Sequence, residues 1–209
     1  MTSLVDLFDL TGKVALTTGS SIGMGRAVAE GLAIAGAKVV ISSRKGDVCE
    51  QTADEINALC GEQRAIGIAC NIGYKEQLQS LVDQTHERLG QIDILVNNAG
   101  VNPYHGPSKD IPDSAFDKTM ESNVRSNHWL CHMVLPDMVG KKDGVIIITS
   151  SNGAFSASKE LEVSLERINV DLKLKRNFWI AEDYHQDYAN RNELKYKLYR
   201  FCLLYTSPS

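Results

Sequence analysis

The sequence predicts a doubly wound α/β fold, in which helices cover both faces of a parallel β-sheet. Three observations predict it. Short β-branched runs alternate with longer helical patterns over the first 150 residues, the runs are continuously apolar, and glycine ends helical patterns at Gly36 and Gly90. A continuously apolar strand suits a parallel sheet that is buried on both faces. The chain has 209 residues, 43% of them hydrophobic, which suffices for one globular core.

Five strands and four helical segments are predicted in strict alternation. The predicted strands are 13–18, 38–43, 64–70, 92–98 and 144–150. The predicted helical segments are 22–36, 47–60, 75–90 and 114–139. No further strand–helix unit follows residue 160. We therefore expect the sheet to stop after the fifth strand and an irregular C-terminal tail to follow it.

Composition and charge exclude several classes of partner. The net charge of −4 argues against nucleic acid or an anionic membrane as a partner, and the longest apolar run, GVIIIT, is too short to span a bilayer. The first residues, MTSLVDLFDLTGK, lack the basic and apolar regions of a signal peptide. The five cysteines form no CxxC pair, which favours free thiols over disulfides or zinc. We therefore expect a cytoplasmic protein.

A glycine-rich turn, TGSSIGMG (18–25), follows the first strand and opens the first helix. Gly19 permits a tight turn there, and Gly23 and Gly25 keep side chains out of the way. Backbone N–H groups at the helix N-terminus can then face a pyrophosphate. The alternative, a purely structural glycine turn, fits less well at the head of an alternating chain. The turn therefore predicts a dinucleotide site.

The end of the second strand predicts which dinucleotide binds. A carboxylate at this point binds the ribose 2′-OH of NAD, but VVISSRK (39–45) contains no acid. A guanidinium at Arg44 with hydroxyls such as Ser43 beside it suits a 2′-phosphate. The sequence therefore favours NADP(H) over NAD(H). The alternative is that Arg44 lies exposed on a solvated turn.

Four motifs in this order resemble the short-chain dehydrogenase/reductase family over residues 8–163. TGSSIGMG resembles its TGxxxGxG loop, and NNAG (97–100) resembles its signature after the fourth strand. Asn123 in MESNVRSN matches its helix asparagine, and IIITSS (146–151) its fifth strand with the active serine. The resemblance implies a Rossmann-type oxidoreductase that moves a hydride between a nicotinamide cofactor and a small-molecule carbonyl or secondary alcohol. Within that family, ISSRK is similar to NADPH-dependent carbonyl reductases.

The resemblance assigns roles to individual residues. Asn123 would support a proton-relay water and Ser151 would hydrogen-bond the substrate carbonyl, so these two are the expected catalytic residues. The alternatives are that Asn123 satisfies a nearby backbone group and that Ser151 caps the strand end. The expected cofactor-binding residues are Gly19, Ser21, Ile22, Gly23, Gly25, Ser43, Arg44, Asn71, Asn98, Ala99 and Gly100. Asn71 stands where the family usually has an aspartate near the adenine.

The family's acid–base tyrosine and its partner lysine are missing from this sequence. By the resemblance, those positions fall on Ser164 and Ile168. FSASK (155–159) resembles the family's YxxSK with phenylalanine for tyrosine, but it lies too close to Ser151. A phenol needs a neighbouring cation to pass a proton near neutral pH. We therefore expect a chain with little or no turnover, or alternatively a non-catalytic NADP-binding module.

The C-terminal part of the sequence changes identity. NFWIAEDYHQDYANRNELKYKLYRF (177–201) resembles the end of peptide-methionine (S)-S-oxide reductases, although the GCFW motif with that family's nucleophilic cysteine is missing. CLLYTSPS (202–209) resembles a translated sequencing adapter. We therefore expect an incomplete NADP-binding domain over 1–163, a foreign segment over 164–201 and an artefact over 202–209. Such a chimera could also be named by its tail, as a sulfoxide reductase.

Helix 114–139 raises two further expectations. His128, Cys131 and His132 put three possible metal ligands on one helical face, but no other ligand is placed to complete a site. We therefore expect no metal and a buried or interfacial helix. Intact members of the family commonly form homo-oligomers, whereas here the apolar face of this helix is expected to lack its cover.

Overall fold

A computed structural model describes residues 8–106 and 108–149 of the chain. Ser151, the FSASK segment and the predicted tail segments lie outside the described residues. The five strands are Val14–Thr18 (β1), Lys38–Ser43 (β2), Ala65–Ala69 (β3), Ile94–Asn97 (β4) and Val145–Ile148 (β5). The α-helices are Gly23–Ile34 (α1), Gly46–Cys60 (α2), Lys75–Arg88 (α3), Asp113–Met120 (α4) and Ser126–Lys141 (α5). A short 3₁₀ helix covers Ser108–Asp110.

The five strands form one parallel sheet in the order β3-β2-β1-β4-β5. The chain runs outward from β1 to β3 and then returns to the other side of β1, so the order reverses between β1 and β4. In a doubly wound sheet, the carboxyl ends of the strands at this reversal form the ligand-binding crevice. The predicted fold class and all five predicted strands are confirmed.

The sheet is buried on both faces, as its continuously apolar strands predict. On one face, Leu16, Val40 and Leu95 pack with residues of α3 and α5. On the other face, Val39 and Ile41 pack with small residues of α1 and α2. Successive residues of each central strand therefore enter two different cores, which fixes the strand register and positions the ends of β1, β2 and β4 beside one another.

The predicted helix 114–139 is not one continuous α-helix. A π-helical segment, Glu121–Arg125, separates α4 from α5. From α5, the side chain of Asn127 donates a hydrogen bond of 2.8 Å to the carbonyl oxygen of Asn123 in this segment, and the Asn123 side chain bonds to Val101 outside the helix. Polar side chains that compete for backbone groups disturb the regular helical ladder. The wider turn carries Asn123 towards the end of β4.

Apolar side chains remain exposed on the outer part of this half of the fold. The four residues of β5 are 37–54% exposed, although β1 is entirely buried. Several apolar residues from α4 to α5 are also exposed, namely Phe116, Met120, Val124, Leu135 and Val139. Whether a further segment or a second copy of the chain covers these residues stays a prediction. Among the described helices, none is long and apolar enough to cross a bilayer.

Candidate nucleotide-binding cleft

A cleft of about 690 Å³ opens at the carboxyl ends of β1, β2 and β4. The glycine-rich turn forms its floor, the end of β2 one wall, and the NNAG turn with α4 the other. The lining residues are Gly19, Ser21, Ile22, Ser42, Ser43, Arg44, Lys45, Val48, Cys70, Asn71, Ile72, Asn98, Ala99, Gly100, Val101, Lys118 and Ser122. The cleft thus lies at the strand-order reversal, where the fold predicts a ligand.

The glycines of the turn act in two different ways. Gly19 and Gly23 both have φ of +62°, a left-handed conformation that other residues rarely adopt. Gly25 instead allows a close approach, because a β-carbon there would overlap the Gly19 carbonyl oxygen and the Asn98 amide nitrogen. Neither Gly23, which is exposed, nor Gly25, which is buried, lines the cleft. They shape the turn that presents Gly19, Ser21 and Ile22.

The N-terminus of α1 is open to an anion. Ile22 precedes the helix and gives no side-chain cap, and the first turn contains no acidic residue. The N–H groups of a first helical turn have no partner within the helix and carry the positive end of the helix dipole. Because no side chain caps them here, they are free to bind a phosphate at the floor of the cleft.

The Thr18 hydroxyl joins β1 to the NNAG turn. It accepts hydrogen bonds of 3.1 Å from the backbone N–H groups of Asn98 and Ala99. The Asn98 side-chain amide donates in return to the carbonyl oxygens of Thr18 and Gly19, at 3.2 and 3.1 Å. Thr149, after β5, donates to the Asn98 side-chain oxygen at 3.3 Å. The Asn98 side chain therefore holds the glycine-rich turn in place at the floor of the cleft.

A second network ties the same turn to β2. The buried Ser20 hydroxyl donates to the Thr17 carbonyl oxygen at 2.6 Å and accepts from the Ser42 N–H at 2.9 Å. From α2, Thr52 donates to the Ser21 carbonyl oxygen at 3.0 Å. With both networks in place, the turn is held before any ligand binds, which lowers the entropic cost of binding.

The charged side chains among the described residues that line the cleft are all positive. The described lining contains three cations, Arg44, Lys45 and Lys118, and no carboxylate. Arg44 and Lys45 follow β2 directly and are exposed, with the partly buried Ser43 hydroxyl beside them. Lys118 lies on α4, across the cleft near Asn71. Such a wall attracts a polyanion and provides charge-assisted hydrogen bonds to phosphate oxygens.

The Cys70 thiol reaches the cleft wall but is not reactive. Burial, reinforced by the neighbouring Cys49, raises the pKa of the Cys70 thiol from 9.0 to about 11. Because only the thiolate is nucleophilic, this cysteine stays protonated and inert near neutral pH. It packs beneath the cleft as a small apolar residue.

Of the two predicted catalytic residues, the structure describes Asn123 but not Ser151. Asn123 accepts a hydrogen bond from the Val101 N–H and donates one to the Val101 carbonyl oxygen, each of 2.8 Å. Its side-chain amide therefore clamps the chain that leaves the NNAG turn, next to Gly100. Its role in a proton relay stays a prediction. Ser151 lies outside the described residues.

The structure brings most predicted cofactor residues together. Those that line one cleft are Gly19, Ser21, Ile22, Ser43, Arg44, Asn71, Asn98, Ala99 and Gly100. Sequence analysis gave no role to Thr18 or Lys118. Thr18 is the first letter of the TGxxxGxG pattern, but its contact with a turn 80 residues away follows only from the fold. The sequence carries no signal for Lys118, which meets the cleft only through the fold.

The family model that describes short chain dehydrogenases matches residues 13–163. The chain belongs to the short chain dehydrogenase family. A second family model, for peptide methionine sulfoxide reductases, matches residues 148–206 and overlaps the first at its end. Both resemblances seen in the sequence are thereby confirmed.

Curated relatives in the short chain dehydrogenase family are about twice as long as the matched region. Human dehydrogenase/reductase SDR family member 4 is 40% identical over 150 residues, which are 71% of this chain and 53% of that protein. Human dehydrogenase/reductase SDR family member 2, mitochondrial, is 37% identical over 168 residues, 76% of this chain and 59% of that protein. The chain thus spans little more than half the length of these relatives.

Solved structures of the family share the fold. A short-chain type dehydrogenase/reductase from Mycobacterium marinum is 38% identical with a TM-score of 0.66, over 71% of this chain and 58% of that chain. A 7α-hydroxysteroid dehydrogenase complexed with NADH and 7-oxo glycochenodeoxycholic acid is 38% identical with a TM-score of 0.63, over 69% and 55%. A metagenomic short-chain oxidoreductase in complex with NADP is 33% identical with a TM-score of 0.63, over 68% and 63%. Because one of these structures contains NADH and another NADP, membership of the family does not by itself determine which nucleotide a member binds.

Proposed function

We propose that the cleft binds NADP(H) in preference to NAD(H) and that the parent enzyme is an oxidoreductase of carbonyls or secondary alcohols. The observation that carries this proposal is the wall of three cations without a carboxylate, above an uncapped helix N-terminus. NADP(H) carries one phosphate more than NAD(H). A wall with only positive charge favours the more highly charged dinucleotide.

The residues of the cleft fit the parts of this cofactor. The first-turn N–H groups of α1 would hold the pyrophosphate, and Ser43, Arg44 and Lys45 would hold the 2′-phosphate. Ala99 and Gly100, which stand on the NNAG turn, would lie along the nicotinamide half. When bound, the cofactor supplies or takes a hydride. The protein holds and orients it in a site kept rigid by Thr18 and Asn98.

For the chain itself we propose little or no turnover. The family resemblance places the tyrosine and lysine at Ser164 and Ile168, which cannot pass a proton. Losing a general acid alone removes roughly 10²–10⁴ in rate. The chain would then act as an NADP-binding module made of an incomplete domain over 1–163 and a foreign segment over 164–201. Its tail lacks the GCFW cysteine that a sulfoxide reductase needs, so no sulfoxide reduction is expected.

The nucleotide preference is tested by fluorescence titration of NADPH and NADH against the 209-residue chain. Arg44→Glu is expected to weaken NADPH binding by about 10- to 100-fold, because a charge-assisted hydrogen bond is replaced by repulsion. NADH binding should not weaken, because a carboxylate at this position can accept a hydrogen bond from the ribose 2′-OH. Lys38→Glu is the matched control, since Lys38 is an exposed cation at the opposite end of β2.

Turnover is tested separately, by NADPH oxidation with a panel of ketones. Binding without turnover supports the proposed module. Rapid ketone reduction would contradict the proposed loss of the acid, and equal weakening of NADPH and NADH by Arg44→Glu would contradict the proposed nucleotide. A continuous genomic reading frame across codons 160–209 would contradict the chimera.

A further inference from the structure

Two histidines lie about one helical turn apart on the exposed side of α5. His128 and His132 are both exposed, and their rings are nearly parallel, with an interplanar angle of 20° and 6.5 Å between the ring centres. Residues four apart on an α-helix lie on the same face, one above the other. The two imidazoles therefore point into the same region of solvent.

Cys131 does not join this pair. Its side chain is partly buried, packs against the core and accepts a hydrogen bond of 3.3 Å from the Asn97 side-chain amide on β4. The sequence puts three possible ligands on one helical face, but the structure directs the thiol towards the sheet. Among the described residues, no group of three or more potential metal ligands occurs. The ligand set is thus two imidazoles.

The surroundings leave both rings available. Neither histidine takes part in an ion pair between described residues. The nearest cation in the sequence is Arg125, three residues before His128. Its guanidinium is paired with Glu121 at 2.8 Å and lies over the Trp129 ring, 5.0 Å from the ring centre. Because Glu121 offsets this charge, its repulsion of a metal ion at the two imidazoles is reduced.

Two imidazoles on one helical face suit a late first-row divalent ion. Imidazole is a preferred ligand of Zn²⁺, Ni²⁺ and Cu²⁺, whereas Mg²⁺ and Ca²⁺ prefer oxygen ligands. Metal–nitrogen bonds of about 2.0–2.1 Å place the two coordinating nitrogens about 3–3.5 Å apart. The rings must therefore move closer by about 1–2 Å, which exposed side chains achieve by rotation about χ1 and χ2.

We propose that His128 and His132 form a bidentate site for such an ion, with water in the remaining coordination positions. The expectation of no metal, drawn from the sequence, assumes that a further protein ligand is needed. Two imidazoles on one helix already act as a chelate, because binding to one ring holds the ion close to the other. The site is separate from the nucleotide cleft, since no residue of α5 lines that cleft.

The test is calorimetric titration of the full chain with Ni²⁺, chosen because thiolates select Zn²⁺ and Cu(I). His128→Gln and His132→Gln should each weaken Ni²⁺ binding by about tenfold or more, because a single imidazole remains. His105→Gln, which removes an exposed histidine outside the pair, should leave the affinity unchanged.

A rebuilt pair checks the geometry. Leu135 is exposed and lies three residues after His132, so Leu135→His places a second imidazole on the same face. Combined with His128→Gln, it should bind Ni²⁺ at least about threefold more tightly than His128→Gln alone. One ion per chain is expected, and excess Mg²⁺ should not compete.

Several results would overturn the site. These are absence of Ni²⁺ binding, unchanged affinity in either variant of the pair, and equal weakening by His105→Gln. No gain from Leu135→His in the His128→Gln background would contradict the chelate, and half an ion per chain would contradict a site complete within one chain. The proposed nucleotide function does not depend on any of these results.

Discussion

Replacing Gly25 by alanine tests the contact on which the cleft floor depends. Gly25 is the third residue of α1, where alanine is ordinarily the better helix former by up to ~1 kcal/mol. In this position, however, the new methyl group would overlap the Gly19 carbonyl oxygen and the Asn98 amide nitrogen. Those two atoms are themselves joined by a hydrogen bond of 3.1 Å. The substitution therefore forces apart a bond that closes the floor of the cleft.

The expected magnitude follows from these two costs. Overpacking in a well-packed site costs about 1–3 kcal/mol, and the broken hydrogen bond adds about 1 kcal/mol. The gain in helix propensity offsets at most ~1 kcal/mol, so Gly25→Ala should lower the free energy of unfolding by about 1–4 kcal/mol. Because the turn must also move, NADPH affinity should fall by about tenfold or more.

Thermal and urea unfolding of the two variants Gly25→Ala and Gly31→Ala provides the assay. Gly31 lies in the same helix, and a β-carbon there would meet nothing within 4 Å. Gly31→Ala should therefore raise stability by about 0.5–1 kcal/mol and leave NADPH affinity unchanged. If Gly25→Ala proves as stable as Gly31→Ala and binds NADPH normally, the close approach of turn and helix does not exist.

Three further predictions concern other contacts of the described fold. Thr18→Val should cost about 1–2 kcal/mol in urea unfolding and weaken NADPH binding, whereas Thr18→Ser should retain both, because only the hydroxyl holds the NNAG turn. Lys141→Met, which removes the ammonium bonded to the buried Asp93 carboxylate, should destabilise by about 3 kcal/mol. Loss of the exposed ion pair between Lys13 and Asp143 should have little effect on stability, because solvent screens it. Since burial raises the pKa of the Cys70 thiol to about 11, the unfolded chain loses this proton first. Stability should therefore fall from pH 9 to 11, less steeply in Cys70→Ala, and iodoacetamide should label Cys70 slowly at pH 8.

The parts of the fold that sequence predicts are those set by local patterns. Continuously apolar runs predict buried parallel strands, and β1 and β4 are buried along their whole length. The glycines of the first turn predict the phosphate-facing loop, because a positive φ at Gly19 is a local requirement. These features need no knowledge of distant contacts.

The remaining features depend on contacts between distant segments. Thr18 has its role only because Asn98 and Ala99 lie next to it in the sheet. Lys118 belongs to the cleft only because the fold places α4 beside the end of β3, where Asn71 lies. A helical pattern in the sequence does not reveal a π-helical segment, and it does not show that Asn123 in this segment bonds to Val101, 22 residues away in the chain.

The central claim is that the end of β2 recognises a 2′-phosphate. Calorimetric titration with adenosine 2′,5′-bisphosphate and with 5′-AMP tests it most directly, because the two ligands differ only in that phosphate. The bisphosphate should bind at least about tenfold more tightly, and Arg44→Glu should abolish the difference. Equal affinity of the two ligands for the unmodified chain would contradict it.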